Sequence, residues 1–232
     1  MSTKNEDMLE ELIKKGESDT LEFKSSMRAS TKPDLAIMSL QESLQKAVRQ
    51  DEKNILQRKL IDLKKTIMNA LEREILRTIA AFMNSKGGIL LVGVNDSGEV
   101  MGLEKDFETF SDKKNWDGWS QHFVSTVRKH MGRQYMSNIK SESVVFDDKI
   151  VALIRIQKSS KPVYVEYQHN KTGQIKLEFY CRALNTTQLL NIKEASKYVS
   201  GHHWESALIQ QPAKKTLLQD TVQAIPSFQP IL

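Results

Sequence analysis

A single cysteine, Cys181, occurs among the 232 residues. No intramolecular disulfide can form, and such usage is expected of a protein in a reducing compartment. Long apolar runs are missing too: nothing approaches the roughly 18 consecutive apolar residues that a membrane-spanning helix needs. Met1 to Lys15 is polar and acidic rather than signal-like, so the expected location is the cytoplasm. Blocks of one charge sign are absent. The 34 Lys and Arg against 29 Asp and Glu leave a formal charge of +5, which excludes a polybasic tail yet suits a phosphate-bearing partner. Aromatics make up only 7%, so extended base-stacking platforms are not expected. Hydrophobic content of 39% and charged content of 27% fit a globular chain with one substantial core.

Periodicity divides the chain. Met8 to Lys14 reads as a short helix ended by Gly16, and Thr20 to Lys24 alternates as a strand with Leu21 and Phe23 on one face. Pro33 to Leu71 has a helical rhythm: Leu40, Leu44 and Val48, then, after a polar break, Leu56, Leu60, Leu63, Ile67 and Leu71. Two helices are expected, the second N-capped by Asp51 and continuing through Ile75, Ile79 and Phe82. Gly87-Gly88 stops it, Ile89 to Val94 is a buried strand, and Asn95-Asp96-Ser97-Gly98 turns into a returning strand, Glu99 to Leu103. Trp116 to Met131 is a helix. Strands are expected over Ser143 to Phe146, Lys149 to Ile156 and Lys176 to Arg182, with a short one at Pro162 to Val165. Ile192 to Val199 is a helix, and Ala207 to Leu232 a polar, weakly anchored tail. Hairpins are too frequent for a doubly wound sheet, so the class is α+β, mixed α/β with flanking helices and an inserted helical hairpin. One domain over 1–206, with the insertion at about 33–71 and the tail at 207–232, is the expected organisation.

Several familiar chemistries are excluded by order or spacing. Ser85-Lys86-Gly87-Gly88 follows a helix and precedes a strand, the reverse of a phosphate loop, where amides at a helix N-terminus face the phosphate. The five histidines lack the partners of a zinc site. No Gly-x-Ser-x-Gly elbow occurs, and Cys181, within a strand, is expected to be buried and inert. The carboxylates Glu17, Glu22 and Asp96 flank the first strand and the turn after the glycines. Oxygen ligands of this kind suit a hard cation beside a phosphodiester, although each residue is also ordinary for its position.

Taken together, several blocks resemble one family. Glu17-Ser18-Asp19-Thr20-Leu21-Glu22-Phe23-Lys24 looks like the opening motif of the AlbA-like domain of Schlafen proteins and their bacterial relatives. Ile79 to Asn84, Gly87-Gly88 and Val92 to Gly98 resemble its central signature, and Ser159 to Tyr164, Phe179 to Arg182 and Asn185 to Thr187 follow in the same order. The resemblance spans about residues 8–204. It implies a nucleic-acid-binding unit, and in its sharper form a divalent-metal-dependent endoribonuclease acting on structured RNA such as tRNA. Glu17, Glu22 and Asp96 would then hold Mg²⁺ or Mn²⁺, and Lys24, Lys86, Lys161 and Arg182 would contact phosphate. The alternatives are a non-catalytic DNA-binding regulator and an interaction subunit of a larger assembly, defence-related or otherwise. The two-lobed clamp of catalytic Schlafens is halved here, so a homo-oligomer joined through the helical insertion is expected.

Overall fold

Residues 4–31, 33–168, 173–201 and 204 are described by the computed structural model. The tail at 207–232 lies outside them, as do His169, His202 and His203.

The chain opens with helix α1 (Lys4–Lys15), acidic in its first turn and basic in its last, which suits the helix dipole. Strand β1 (Leu21–Lys24) follows. Helix α2 (Leu35–Lys46) is N-capped by Asp34, whose carboxylate accepts from the amides of Ala36 and Ile37. Helix α3 (Gln50–Asn84) is 35 residues long, about 50 Å at the helical rise. Its N-cap is Arg49, with no side-chain cap bond, so Asp51 is not the cap expected from the sequence. Asp51 instead lies in the first turn, ion-paired to Arg49.

Strand β2 (Gly88–Val92) leads through the Asn95–Gly98 turn to a short helix α4 (Glu104–Phe107) and then α5 (Trp116–Met131). The returning strand expected at Glu99–Leu103 is reduced to one bridge, Val94 to Val100. A turn of 3-10 helix (Arg133–Asn138) precedes β3 (Ile139–Phe146) and β4 (Lys149–Ile156). Asp147 and Asp148 between them take positive φ, as a tight hairpin requires. Then come β5 (Tyr164–Gln168), β6 (Ile175–Ala183), β7 (Thr186–Leu190) and α6 (Ile192–Gly201).

Two sheets result. In the first, ordered β1-β2-β4-β3, β1 runs parallel to β2 and the other pairs are antiparallel. The second is the antiparallel order β5-β6-β7. The first sheet is buried on both faces, which is why Ile89 to Val94 reads as a continuous apolar run. Leu21, Phe23, Leu91 and Val94 join Leu9 of α1 on one side, while Leu90 and Val92 join Ile79, Phe82, Trp119 and Phe123 on the other.

Only the last third of α3 reaches this core: its buried residues begin at Ile75. The preceding stretch and α2, which has no buried residue, form an arm, with α2 packed chiefly on α3. The stripe Leu56, Leu60, Leu63, Ile67 and Leu71 is half-buried, so α2 already covers part of the face expected to meet a second copy. Leu35, Met38, Ile55 and Ile61 are the arm's exposed large apolar side chains, with Val48 in the linker.

Candidate nucleic-acid interface

Strand β1 is an edge strand, and an open edge leaves unpaired amides and carbonyls. Here the chain covers its own edge. Ser18 N–H donates to Leu21 O at 2.8 Å, and the Phe23 amide donates to Glu17 Oε1 at 2.9 Å. The odd spacing of Glu17 and Glu22 follows from this: Glu17 folds back alongside the strand rather than projecting from it.

Glu22 projects from the opposite face to Leu21 and Phe23 and is buried at 8% exposure. One of its oxygens pairs with Lys24, and the other accepts from Arg182 of β6 at 2.8 Å. The Arg182 side chain is only 2% exposed. It also donates to Ser18 O at 2.7 Å and Thr187 Oγ1 at 3.1 Å, and lies 4.9 Å from the Phe82 ring centre. Arg182, expected from the sequence to contact phosphate, is in this structure a buried tie between the two sheets. Lys24 is likewise engaged, with Glu22 and with Phe23 O.

Asp96 sits on the exposed Asn95–Gly98 turn, whose Gly98 approaches Ile13 near the end of α1. Among the described residues no three His, Cys, Asp or Glu side chains come together as a metal-holding group. A hard cation needs several free oxygens. With Glu17 bound to an amide and both Glu22 oxygens facing cations, the donor set in this arrangement does not fit one.

The glycines explain a second feature. A Cβ on Gly88 would stand 2.7 Å from the Phe82 ring and from Thr20 O, and one on Gly87 would stand 2.6 Å from Ile156 O. Gly87 also has φ of 79°, which disfavours any side chain. The segment Ser85–Gly88 is thereby pressed against the loop leaving β4. Ser159 N–H donates to Met83 O at 2.8 Å, and Asn138 Nδ2 donates to Lys158 O at 3.1 Å. The Ser85–Gly88 turn and the loop after β4 therefore lie side by side, and Lys86, Lys158 and Lys161 on them are all exposed. Lys86 bonds Asp19 at 2.8 Å, which draws the Asp19 carboxyl below its usual range and raises Lys86. Lys158 is not among the residues picked out from the sequence, because only the packing of the two loops brings its segment beside the glycine turn.

Two buried polar residues organise the surroundings, and neither stood out in the sequence as a site. Asn84 is fully buried; its amide donates to Val163 O and Tyr180 O and accepts from Val163 N, each at 2.8 Å. It ties the end of α3 to the approach to β5 and to β6. Asp106 is 1% exposed and accepts from Ser26 Oγ, the amides of Met27, Arg28 and Ala29, and Trp119 Nε1. It fixes the loop that follows Lys24. Cys181 is buried, as expected, and burial pushes its thiol pKa up, so little thiolate is present at neutral pH.

The arrangement defines a class: an α+β unit with two sheets joined by a long helix, and a lysine-bearing edge beside a glycine turn. The family described as Schlafen, AlbA_2 matches residues 57–191, and the chain belongs to it. Asp96, Lys86, Lys161 and Arg182 lie inside that span, whereas Glu17, Glu22 and Lys24 lie before it. No curated protein matches the sequence. Among solved structures, the DIP2311 protein from Corynebacterium diphtheriae is similar at 12% identity and a TM-score of 0.43, over 78% of this chain. The chain spans 26% of that protein's length.

Proposed function

We propose that the protein binds nucleic acid by phosphate contacts along the edge formed by Ser85–Gly88 and the loop after β4. Membership of the family points to a nucleic-acid-related function. The observation that carries the reading is the packing of the Ser85–Gly88 turn against the loop after β4, with Lys86, Lys158 and Lys161 exposed on the two segments. Lysines so placed neutralise phosphates and release counterions, giving affinity that falls steeply with salt. Structured RNA is the first substrate class to test, with duplex DNA beside it. Changing all three lysines to alanine is expected to weaken binding across sequences and to lower the log–log salt slope by about 3. An unchanged slope overturns the reading.

The finer reading, a Mg²⁺- or Mn²⁺-dependent endoribonuclease using Glu17, Glu22 and Asp96, draws its support from the resemblance. The engagement of Glu22 by Lys24 and Arg182 favours binding without cleavage. The two part on one assay: total tRNA incubated with either metal or with EDTA. Metal-dependent cleavage by the wild type that is lost in a Glu22→Gln variant shown to be folded by circular dichroism establishes the nuclease; intact RNA under all conditions, with retained binding, leaves the binding module.

A further inference from the structure

A cleft of about 590 Å³ opens where the arm meets the body. One wall is the inner part of α3, with Asn69, Ala70 and Arg73; the other is the end of α5, with Lys129 and His130; Tyr167 of β5 lies between them. Arg73's guanidinium carbon stands 4.3 Å from the centre of the Tyr167 ring, and the His130 ring centre is 5.6 Å from that of Tyr167. Three planar groups therefore gather at one cleft in a chain otherwise poor in aromatics. His130 Nδ1 lies 2.6 Å from Glu166 O. A carbonyl only accepts, so Nδ1–H donates to it and fixes the orientation of the ring. Lys129 is exposed. Arg73 is held in place by the buried Glu178 carboxylate at 2.6 Å.

We propose that this cleft takes one unpaired nucleotide of a nucleic-acid strand. Its base stacks on the Tyr167–His130–Arg73 group, its polar edge meets Asn69, and its phosphate meets Lys129. Stacking needs only a π-face and so tolerates any base, while the Asn69 amide supplies hydrogen bonds that a splayed base can use. A paired base, with its faces and edges already occupied, cannot enter. The inference rests on the nucleic-acid reading and adds to it a preference for unpaired segments, such as loops and single strands.

The test compares a dye-labelled single strand with a duplex of equal length, by fluorescence anisotropy. Three variants serve: Lys129→Glu, His130→Ala and, on the facing wall, Ala70→Glu, all three at surface or partly exposed positions. Circular dichroism checks that each is folded. Each is expected to lose about tenfold in single-strand affinity with duplex binding unchanged. The neutral His130→Ala separates stacking from charge. Single-strand affinity equal to wild type in all three, alongside loss in the Lys86, Lys158 and Lys161 variant, overturns the cleft and leaves the edge standing. Equal losses for single strand and duplex overturn the cleft as well, since the contacts then do not distinguish unpaired bases. A wild type that binds neither probe overturns both readings.

Discussion

Replacing Asp106 by asparagine removes a charge but almost no volume, and it tests whether a residue with no evident role in the sequence holds the loop after β1. One carboxylate oxygen takes Ser26 Oγ and the amides of Arg28 and Ala29; the other takes the Met27 amide and Trp119 Nε1, at 2.9 and 3.0 Å. An asparagine keeps one accepting oxygen and turns an NH₂ toward the other donors. In the better orientation the Met27 amide and the indole N–H are orphaned against that NH₂. Each buried donor left without an acceptor costs about 1–3 kcal/mol, so a loss of about 4 kcal/mol is expected. With an m-value of about 2 kcal/mol/M, the urea midpoint falls by roughly 2 M. Trp119 is fully buried, and its fluorescence reports the transition directly. Glu108→Gln is the control, because Glu108 pairs with Lys114 on an exposed surface and such pairs contribute little. A midpoint shift for Asp106→Asn no larger than the control's refutes the reasoning.

Acid titration probes Glu178, whose side chain is 1% exposed. Burial pushes this carboxyl up, yet hydrogen bonds from Lys176, Tyr180 and Arg73 outweigh it and bring the pKa to about 2 from an ordinary 4.5. A depressed carboxyl stabilises the fold fully above its unfolded pKa and loses that contribution as pH falls through the folded value. Stability measured by urea unfolding is therefore expected to drop between pH 4.5 and about 2, and Glu178→Gln to flatten that slope; an equal slope in the variant contradicts the assignment. Arg182→Met, which leaves Glu22 with Lys24 alone and the Ser18 carbonyl without its donor, is expected to cost about 1–3 kcal/mol, read from chemical denaturation; a change within the range of surface substitutions contradicts the tie. Shortening the arm by joining residue 33 to residue 70 through a short glycine linker is expected to leave the body's stability nearly unchanged, because buried residues in α3 begin at Ile75; unfolding of the shortened chain contradicts this. For self-association through the arm, light scattering of Met38→Glu and Ile55→Glu, both 54% exposed, is expected to show monomer where the wild type is a dimer; a wild-type monomer at micromolar concentration ends that proposal.

The sequence by itself determined the elements whose cause is local. Alternation marked β1, helical rhythm marked α3 and α5, Gly87-Gly88 marked a helix stop, and the ordered blocks marked the family. Alternation also put Glu22 on the face opposite Leu21 and Phe23. What that face meets was decided by the tertiary structure: Arg182, 160 positions away, arrives because β6 packs against α3 beside β1. The same contact pairs Arg182, a candidate phosphate ligand, with Glu22, a candidate metal ligand. Strand β7 and the loss of the strand after Asn95–Gly98 were equally non-local, since pairing depends on which edge is free. Asp106 gave no signal at all. A lone aspartate in Glu104–Phe107 becomes a five-donor acceptor only when the loop after β1 and the indole of Trp119 close around it. Lys158 joined Lys86 and Lys161 for the same reason: side chains far apart in sequence share an edge only once two loops are pressed together, and the space that allows it is left by glycine's missing Cβ.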